Sequence, residues 1–345
     1  MAGRVHVPFD VFAMRVSVPV STMVRDGAFG WSCGQCPLTP DGEVFEPGDL
    51  QAQARFVCSM IETVVDRAYF KPAQIGKLHV YYVPSVNLAS NALADLFAVH
   101  FSHGPLIVLI PVPHFYYAGM LIEVDVFAAE TVSGRAVHQN GGVAVKTVAT
   151  GDQTWAQVMG GHKDRGNIET ALISAGLRPE CLLSGHWFSE TTMPILVSGH
   201  SSLSDAMVML PETQAGSFFG VLTFVNDTVE TQEILFAGRA EIHRRRAVDK
   251  VWVTGTCSDA GQDLVQQTRS IMTGIDVALG EVGMTFANVA KLTAHYTGGA
   301  SEEELHGNMQ VRHGFYIKPG PASTGLPVHG LGNQNCRIAI DVLAV

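Results

Sequence analysis

One block of pattern recurs three times along this chain, and that repetition constrains the fold more than any single motif. The block runs strand, Gly-containing turn, amphipathic helix, strand, helix and two late strands, and a chain that repeats itself folds as repeated modules. In the first copy the opening strand is Phe29-Gly-Trp-Ser-Cys-Gly-Gln35, and Pro37-Leu-Thr-Pro-Asp-Gly42 supplies turn chemistry. Leu50, Ala54, Cys58, Ile61 and Val65 follow at helical spacing. Residues 77–83 predict a strand, 88–100 a helix, 106–110 a strand and 120–128 the closing strand. The third copy repeats this with a strand at 251–256 and helical spacing at Leu264, Thr268, Ile271, Ile275 and Leu279. A strand at 289–296, a helix opening at Ser301 and a closing strand at 336–345 complete it. The middle copy is the most eroded: 143–149 opens it, 167–176 is its helix, 181–187 and 218–224 are strands, and 233–242 ends it. With Trp31, Val145 and Trp252 as equivalent positions, the units are expected at 1–130, 131–242 and 243–345.

A unit of this size carries helices on one sheet face only, so its other face needs a cover. Two further copies around a pseudo-threefold axis supply it. The expected fold class is therefore α+β, three tandem units in one chain with sheets facing inward, and ligands held in the clefts between units.

Composition narrows the function classes. With 47% hydrophobic and 16% charged residues, the chain is not disordered. Its densest apolar stretch, 105–113, falls far short of the roughly 20 residues a bilayer core requires. The N-terminal residues lack the apolar run of a signal peptide, and six cysteines do not make a disulfide scaffold, so a cytoplasmic location is expected. The formal charge is −10, from 22 Lys+Arg against 32 Asp+Glu, which argues against a nucleic-acid partner because phosphate binding needs a basic footprint. The one dense basic cluster, His243-Arg-Arg-Arg246, reads as a solvated loop. The 14 histidines lack the local spacings of metal sites, and Gly160-Gly161 belongs to no nucleotide-binding loop, so no metal and no cofactor are expected. The expected partner is a small-molecule substrate, with no membrane, and the chain is expected as a monomer or a dimer.

The first and third copies resemble the RidA (YjgF) family of enamine/imine deaminases. That family's opening strand ends in Ser-Gly-Gln and precedes a helix with an early Gln. This chain has Cys33-Gly34-Gln35 with Gly48-Asp-Leu-Gln-Ala-Gln53, then Thr254-Gly255-Thr256 with Asp263-Leu-Val-Gln-Gln267. Gly283-Met-Thr-Phe-Ala-Asn-Val-Ala-Lys291 is similar to the family's helix-to-strand turn, and Pro321-Ala-Ser-Thr-Gly325 falls where the family has Pro-Ala-Arg. Leu121-Ile-Glu-Val-Asp-Val-Phe-Ala128 resembles its final strand, which carries a catalytic glutamate.

The resemblance implies a site between units, a glutamate that positions water against a C=N carbon, and an arginine that grips the substrate carboxylate. Glu123 matches the glutamate; the third copy has Ala339 there and the second Leu235 or a near neighbour. No arginine lies between Gly104 and His114 or between Leu210 and Val225, and Ser323 stands in its place in the third copy. An arginine–carboxylate fork contributes ~1.5–3 kcal/mol that serine cannot replace, so a neutral or differently held ligand is expected.

The catalytic candidates are Glu123, whose neighbour Asp125 shares its strand face, and Cys33, lining the cleft in place of the family's serine. Cys33 and Cys36 end a strand and run into Pro37, which does not suit a redox pair. Substrate-binding candidates are Gln35 and Thr254 on the opening strands, Tyr116 and Tyr117 before the Glu123 strand, and Ser323, Thr324 and His329 in the Pro- and Gly-bearing segment. The expected function is a cofactor-free hydrolase or deaminase acting on an enamine, imine or enol ether. Two alternatives stand beside it. One is hydrolysis of chorismate as in chorismatases, which share a Pro-Ala-x-Thr-Gly segment but keep a glutamate where this chain has Ala339. The other is a non-catalytic small-molecule-binding protein.

Overall fold

A computed structural model describes residues 3–14, 16–85, 88–190, 207–210, 216–236, 240–298 and 302–345. Ser301, read above as the start of a helix, lies outside them.

The first sheet contains β1 (Val5–Pro8), β2 (Ser21–Asp26), β3 (Phe29–Ser32), β4 (Ile75–Tyr82), β5 (Leu106–Pro111) and β6 (Ile122–Ala129). The second contains β7 (Ser133–Asn140), β8 (Val143–Thr150), β9 (Gln153–Gly161), β10 (Leu182–Ser189), β11 (Met207–Met209) and β12 (Ser217–Val225). The third contains β13 (Glu230–Phe236), β14 (Ala240–Ala247), β15 (Lys250–Cys257), β16 (Val289–Tyr296), β17 (Ala322–Pro327) and β18 (Ile338–Ala344). Their orders are β1-β2-β3-β6-β4-β5, β7-β8-β9-β12-β10-β11 and β13-β14-β15-β18-β16-β17, one topology used three times. The fold is α+β, in three tandem units.

Two details of the middle copy differ from the sequence reading. Residues 233–242 do not end it: β13 pairs with β14 and β14 with β15, so they open the third sheet. Its closing strand is β12, which lies between β9 and β10. The partner of Trp31 and Trp252 is not Val145 but Trp155, ten residues further on: Trp31 faces Phe127, Trp155 faces Thr223 and Trp252 faces Leu343 at matching rungs. Strand periodicity is 2 in β8 and β9 alike, so the pattern alone could not choose between them.

The helices form where caps and apolar spacing coincide. In α1 (Leu50–Arg67) the Asp49 carboxylate accepts from the Ala52 N–H at 2.9 Å, and in α4 (Leu264–Gly280) Asp263 and Gln266 form a capping box. Four residues past each cap sits the same buried strap. Gln53 donates to Glu46 O and Gly119 O and accepts from Leu121 N; Gln267 donates to Asp259 O and Asn335 O and accepts from Arg337 N. Each glutamine thus ties a helix to the chain just before its unit's closing strand. Helices α2 (Ser90–His100), α3 (Ile168–Ser174) and α5 (Glu302–His313) complete the outer layer.

Each unit keeps its own apolar core between sheet and helices, and a fourth core at the centre draws Trp31, Trp155, Trp252, Tyr81 and Phe188 from all three sheets. Unit packing is tight there: a Cβ on Gly76 of the first unit would lie 2.3 Å from the Trp155 ring of the second. The basic run His243–Arg246 is a strand, not a solvated loop. Arg244 and Arg245 are buried, and Arg244 donates to Ala278 O at 2.7 Å and Glu281 Oε2 at 2.8 Å, holding the last turn of α4. Among the described residues no helix is long and apolar enough to cross a membrane.

Candidate functional site

The register makes residues equivalent across units. Glu123 faces Tyr81, Phe219 faces Phe188 and Ala339 faces His295, so the middle copy has Phe219, not Leu235, at the glutamate position. Two rungs along, Asp125, Val221 and Asp341 are equivalent, and so are Lys77, Ser184 and Lys291 on the neighbouring strands. The three seams therefore carry different chemistry.

At the seam of units one and three, Lys291 Nζ donates to Asp125 Oδ1 at 2.8 Å, Thr324 Oγ1 at 2.6 Å and Ser32 O at 2.8 Å, and Thr324 donates on to Asp125. The backbone joins in, with Ser21 N–H donating to Pro321 O. At the seam of units three and two, Asp341 meets His186 at 2.8 Å. The second unit has only Val221 at this rung, and Lys77 of the first unit lies 4.0 Å from the Phe127 ring centre and 5.5 Å from that of Trp155, with no ion pair among the described residues.

Burial pulls the Lys77 amine down to about 7, Asp125 opposing and Lys291 adding to the shift. An unfolded lysine titrates near ~10.4, so between these values the unfolded chain binds more protons and stability rises with pH. Lys77→Met removes this cost. The variant is expected to melt about 2–5 °C higher at pH 6, with the gain shrinking by pH 9, in thermal scans across that range.

Above the Asp125 network the same seam opens into a cavity of about 100 Å³. Strand alternation positions Glu123: Ile122, Val124 and Val126 pack outward against the helix-side core, and the carboxyl points the other way. The segment after β3 lies against it, Gln35 and Val124 exchanging backbone hydrogen bonds at 2.8 and 3.1 Å. A Cβ on Gly34 would sit 1.6 Å from Glu123 Oε1, so only glycine leaves room for the carboxyl at this rung.

Five residues singled out from sequence line the cavity: Glu123, Cys33, Tyr116, Tyr117 and Ser323. The other four do not. Gln35 is buried behind the wall, its amide donating to Cys33 O at 2.9 Å. Thr324 follows Ser323 on β17, and adjacent strand residues point to opposite faces; its hydroxyl is held by Lys291 and Asp125 instead. Thr254 donates to Asp341 at the other seam, and His329 is exposed beyond the end of β17.

The residue that sequence reasoning missed is Arg312. It comes from α5 of the third unit, is buried, donates through Nε to Asn308 Oδ1 at 3.1 Å, and lines the cavity. Gly325 gives it space, since a Cβ there would come within 2.9 Å of Nη2. The resemblance places the family arginine on the strand before the closing one, where this chain has Ser323. Arg312 is eleven residues upstream of Ser323, on a helix, and nothing in local spacing aims it inward.

Burial and the nearby Asp125 push the Glu123 carboxyl up to about 8, Lys291 and a Cys36 hydrogen bond working against them. Burial likewise pushes the Cys33 and Cys36 thiols up. Cys33 therefore presents a thiol and not a thiolate nucleophile. Burial and Arg312 pull His313 down to about 4. At neutral pH the cavity thus holds a protonated carboxyl, neutral thiols, a neutral imidazole and the Arg312 cation.

Residues 13–130 match the family model described as Endoribonuclease L-PSP. Among solved structures, the chain is similar to a protein of the conserved Rid family from Yersinia pestis, at 23% identity over 37% of this chain and 99% of that one, with a TM-score of 0.33. It is also similar to a YjgF-family member from Mycobacterium tuberculosis, at 20% identity over 37% and 99%, with a TM-score of 0.30. No curated protein matches the chain.

Proposed function

We propose that the three units are RidA/YjgF-type, as the family match on the first third and the shared topology support, and that the seam of units one and three is a hydrolytic deaminase site for a small carboxylate-bearing enamine or imine. One observation carries this reading: a carboxyl held near pKa 8 shares the cavity with a single buried arginine. Arg312 takes the substrate carboxylate. Glu123 in its acid form gives its proton to the enamine β-carbon, producing an iminium ion. The carboxylate so formed removes a proton from water as the water oxygen bonds to the iminium carbon. The resulting carbinolamine loses ammonia, its hydroxyl proton passing to nitrogen, and leaves a carbonyl compound. General acid–base help of this kind is worth about 10²–10⁴ in rate.

Tyr116, Tyr117 and Ser323 shape the walls, and Ser323, 3.0 Å from the Tyr316 hydroxyl, offers a polar edge. Hydrolysis of chorismate has less support: Ala339 holds no carboxyl, and the Thr324 hydroxyl is committed to Lys291 and Asp125. The ribonuclease activity in the matched family's description has less still, since the net charge is −10 and a cavity of about 100 Å³ does not admit a nucleotide chain. A binding protein without turnover is the second reading, favoured by Phe219 and Ala339, which leave two of three seams without the glutamate.

The test is a panel of enamines, imines and enol ethers, each with and without a carboxylate, followed by carbonyl and ammonia release. Turnover of the carboxylated enamines is expected, with kcat declining as pH rises past about 8. Saturable binding with no product from any member would move the site to the second reading.

A further inference from the structure

We propose that His186, His295 and Asp341 bind one divalent transition-metal ion at the seam of units two and three, away from the Glu123 cavity. These residues come from β10, β16 and β18, are all buried, and each offers a ligand atom within 4.8 Å of the others. Two nitrogens and a carboxylate oxygen are the donor set of zinc, cobalt and non-haem iron sites.

The imidazole of His295 is 1% exposed, and neither of its ring nitrogens has a hydrogen-bond partner. A buried N–H and a buried lone pair left unmade are costly, and a metal ion on the ring answers the lone pair.

The other two seams serve as internal comparisons. At the rungs of Asp341, His295 and His186, the seam of units one and three has Asp125, Tyr81 and Thr293, and the remaining seam has Val221, Phe188 and His79. Only one seam assembles three ligands. It is also the seam where the lysine that neutralises Asp125 is replaced: the residue equivalent to Lys291 is Ser184. Asp341 therefore meets His186 and the Thr254 hydroxyl in place of a lysine.

The outer contacts resemble those around metal-binding carboxylates. Thr254 Oγ1 donates to Asp341 Oδ1 at 2.7 Å and accepts from Trp252 Nε1 at 2.9 Å, which orients Oδ2 toward His186 Nε2, 2.8 Å away. An ion ligated by both atoms replaces the hydrogen bond between them, the neutral His186 imidazole then carrying its one proton on Nδ1. With bonds of about 2.0–2.1 Å, the N···O separation opens to roughly 3.4 Å. A chamber of about 40 Å³ lined by His186, Ser184 and Thr293 adjoins the site and can supply water as a further ligand.

The experiment is Co²⁺ titration of the untagged, chelator-stripped full chain, read by visible d–d absorption, bound-metal stoichiometry and thermal melting. One equivalent is expected to bind with a tetrahedral cobalt spectrum and a rise in Tm. His295→Leu and Asp341→Asn should each lose that equivalent at least a hundredfold in affinity, and His79→Leu, at a seam without the carboxylate, should keep it. Wild-type binding no tighter than that of whichever of the two variants folds, or a His79→Leu loss equal to theirs, overturns the proposal. Because the readout is binding and not turnover, it stands or falls apart from the deaminase reading.

Discussion

Glu123→Gln is expected to lower kcat on the carboxylated enamine by about 10²–10⁴ while leaving the protein folded and more heat-stable at alkaline pH. The amide keeps the shape that Gly34 accommodates but can neither give nor take the proton. The stability gain follows from linkage. The folded carboxyl titrates near about 8 and an unfolded glutamate near ~4.3. Between these values the folded state binds the extra proton, so wild-type stability falls as pH rises through the window and the loss is complete above it. The variant has no such loss. Its Tm should match wild type near pH 4 and exceed it increasingly toward pH 8.5, opposite in sign to the slope that Lys77 contributes between about 7 and 10.4. Turnover within about threefold of wild type would remove Glu123 from the mechanism. A flat Tm difference across pH would show instead that the carboxyl is solvated.

Arg312→Leu is expected to raise KM for carboxylated substrates by about tenfold to a hundredfold, the worth of one charge-assisted fork of ~1.5–3 kcal/mol. Leucine keeps much of the apolar stem that packs in the wall, so the change isolates the guanidinium. Arg312→Lys should recover little, since a point charge does not reproduce the planar pair of donors. The control lies in the substrate: the same compound with its carboxylate esterified should show little difference between wild type and variant. An equal loss on both substrates means that Arg312 acts by packing, not by gripping an anion.

Both predictions concern one cavity, and its two principal residues differ in how readable they were. Glu123 stands in a strand of strict alternation whose neighbours Ile122, Val124 and Val126 declare the core face. The resemblance that singles it out spans the whole closing strand. Cys33, Tyr116, Tyr117 and Ser323 lie in segments that adjoin that strand in each unit's order, and they reach the same cavity. Thr324 turns away from the cavity for the same reason that Ser323 lines it, because one residue along a strand reverses the side chain. The basic run at 243–246 reads by its charge as a solvated loop, whereas strand pairing and the carbonyl end of α4 satisfy Arg244.

What the amino-acid order determined by itself was local and periodic: where strands and helices run, that the pattern recurs three times, and that a sheet with helices on one face needs its copies for cover. These follow from side-chain spacing of 2 or 3.6 residues and from caps such as Asp49 and Asp263, which act within a few residues of chain. Only the tertiary structure decided which rung meets which. Trp155 rather than Val145 joins Trp31 and Trp252, Arg312 enters the Glu123 cavity from another unit's helix, and His186, His295 and Asp341 converge from positions as much as 155 residues apart. Register between sheets is set by packing around the shared axis, where a shift of one residue turns every side chain to the opposite face, and no local spacing encodes that choice.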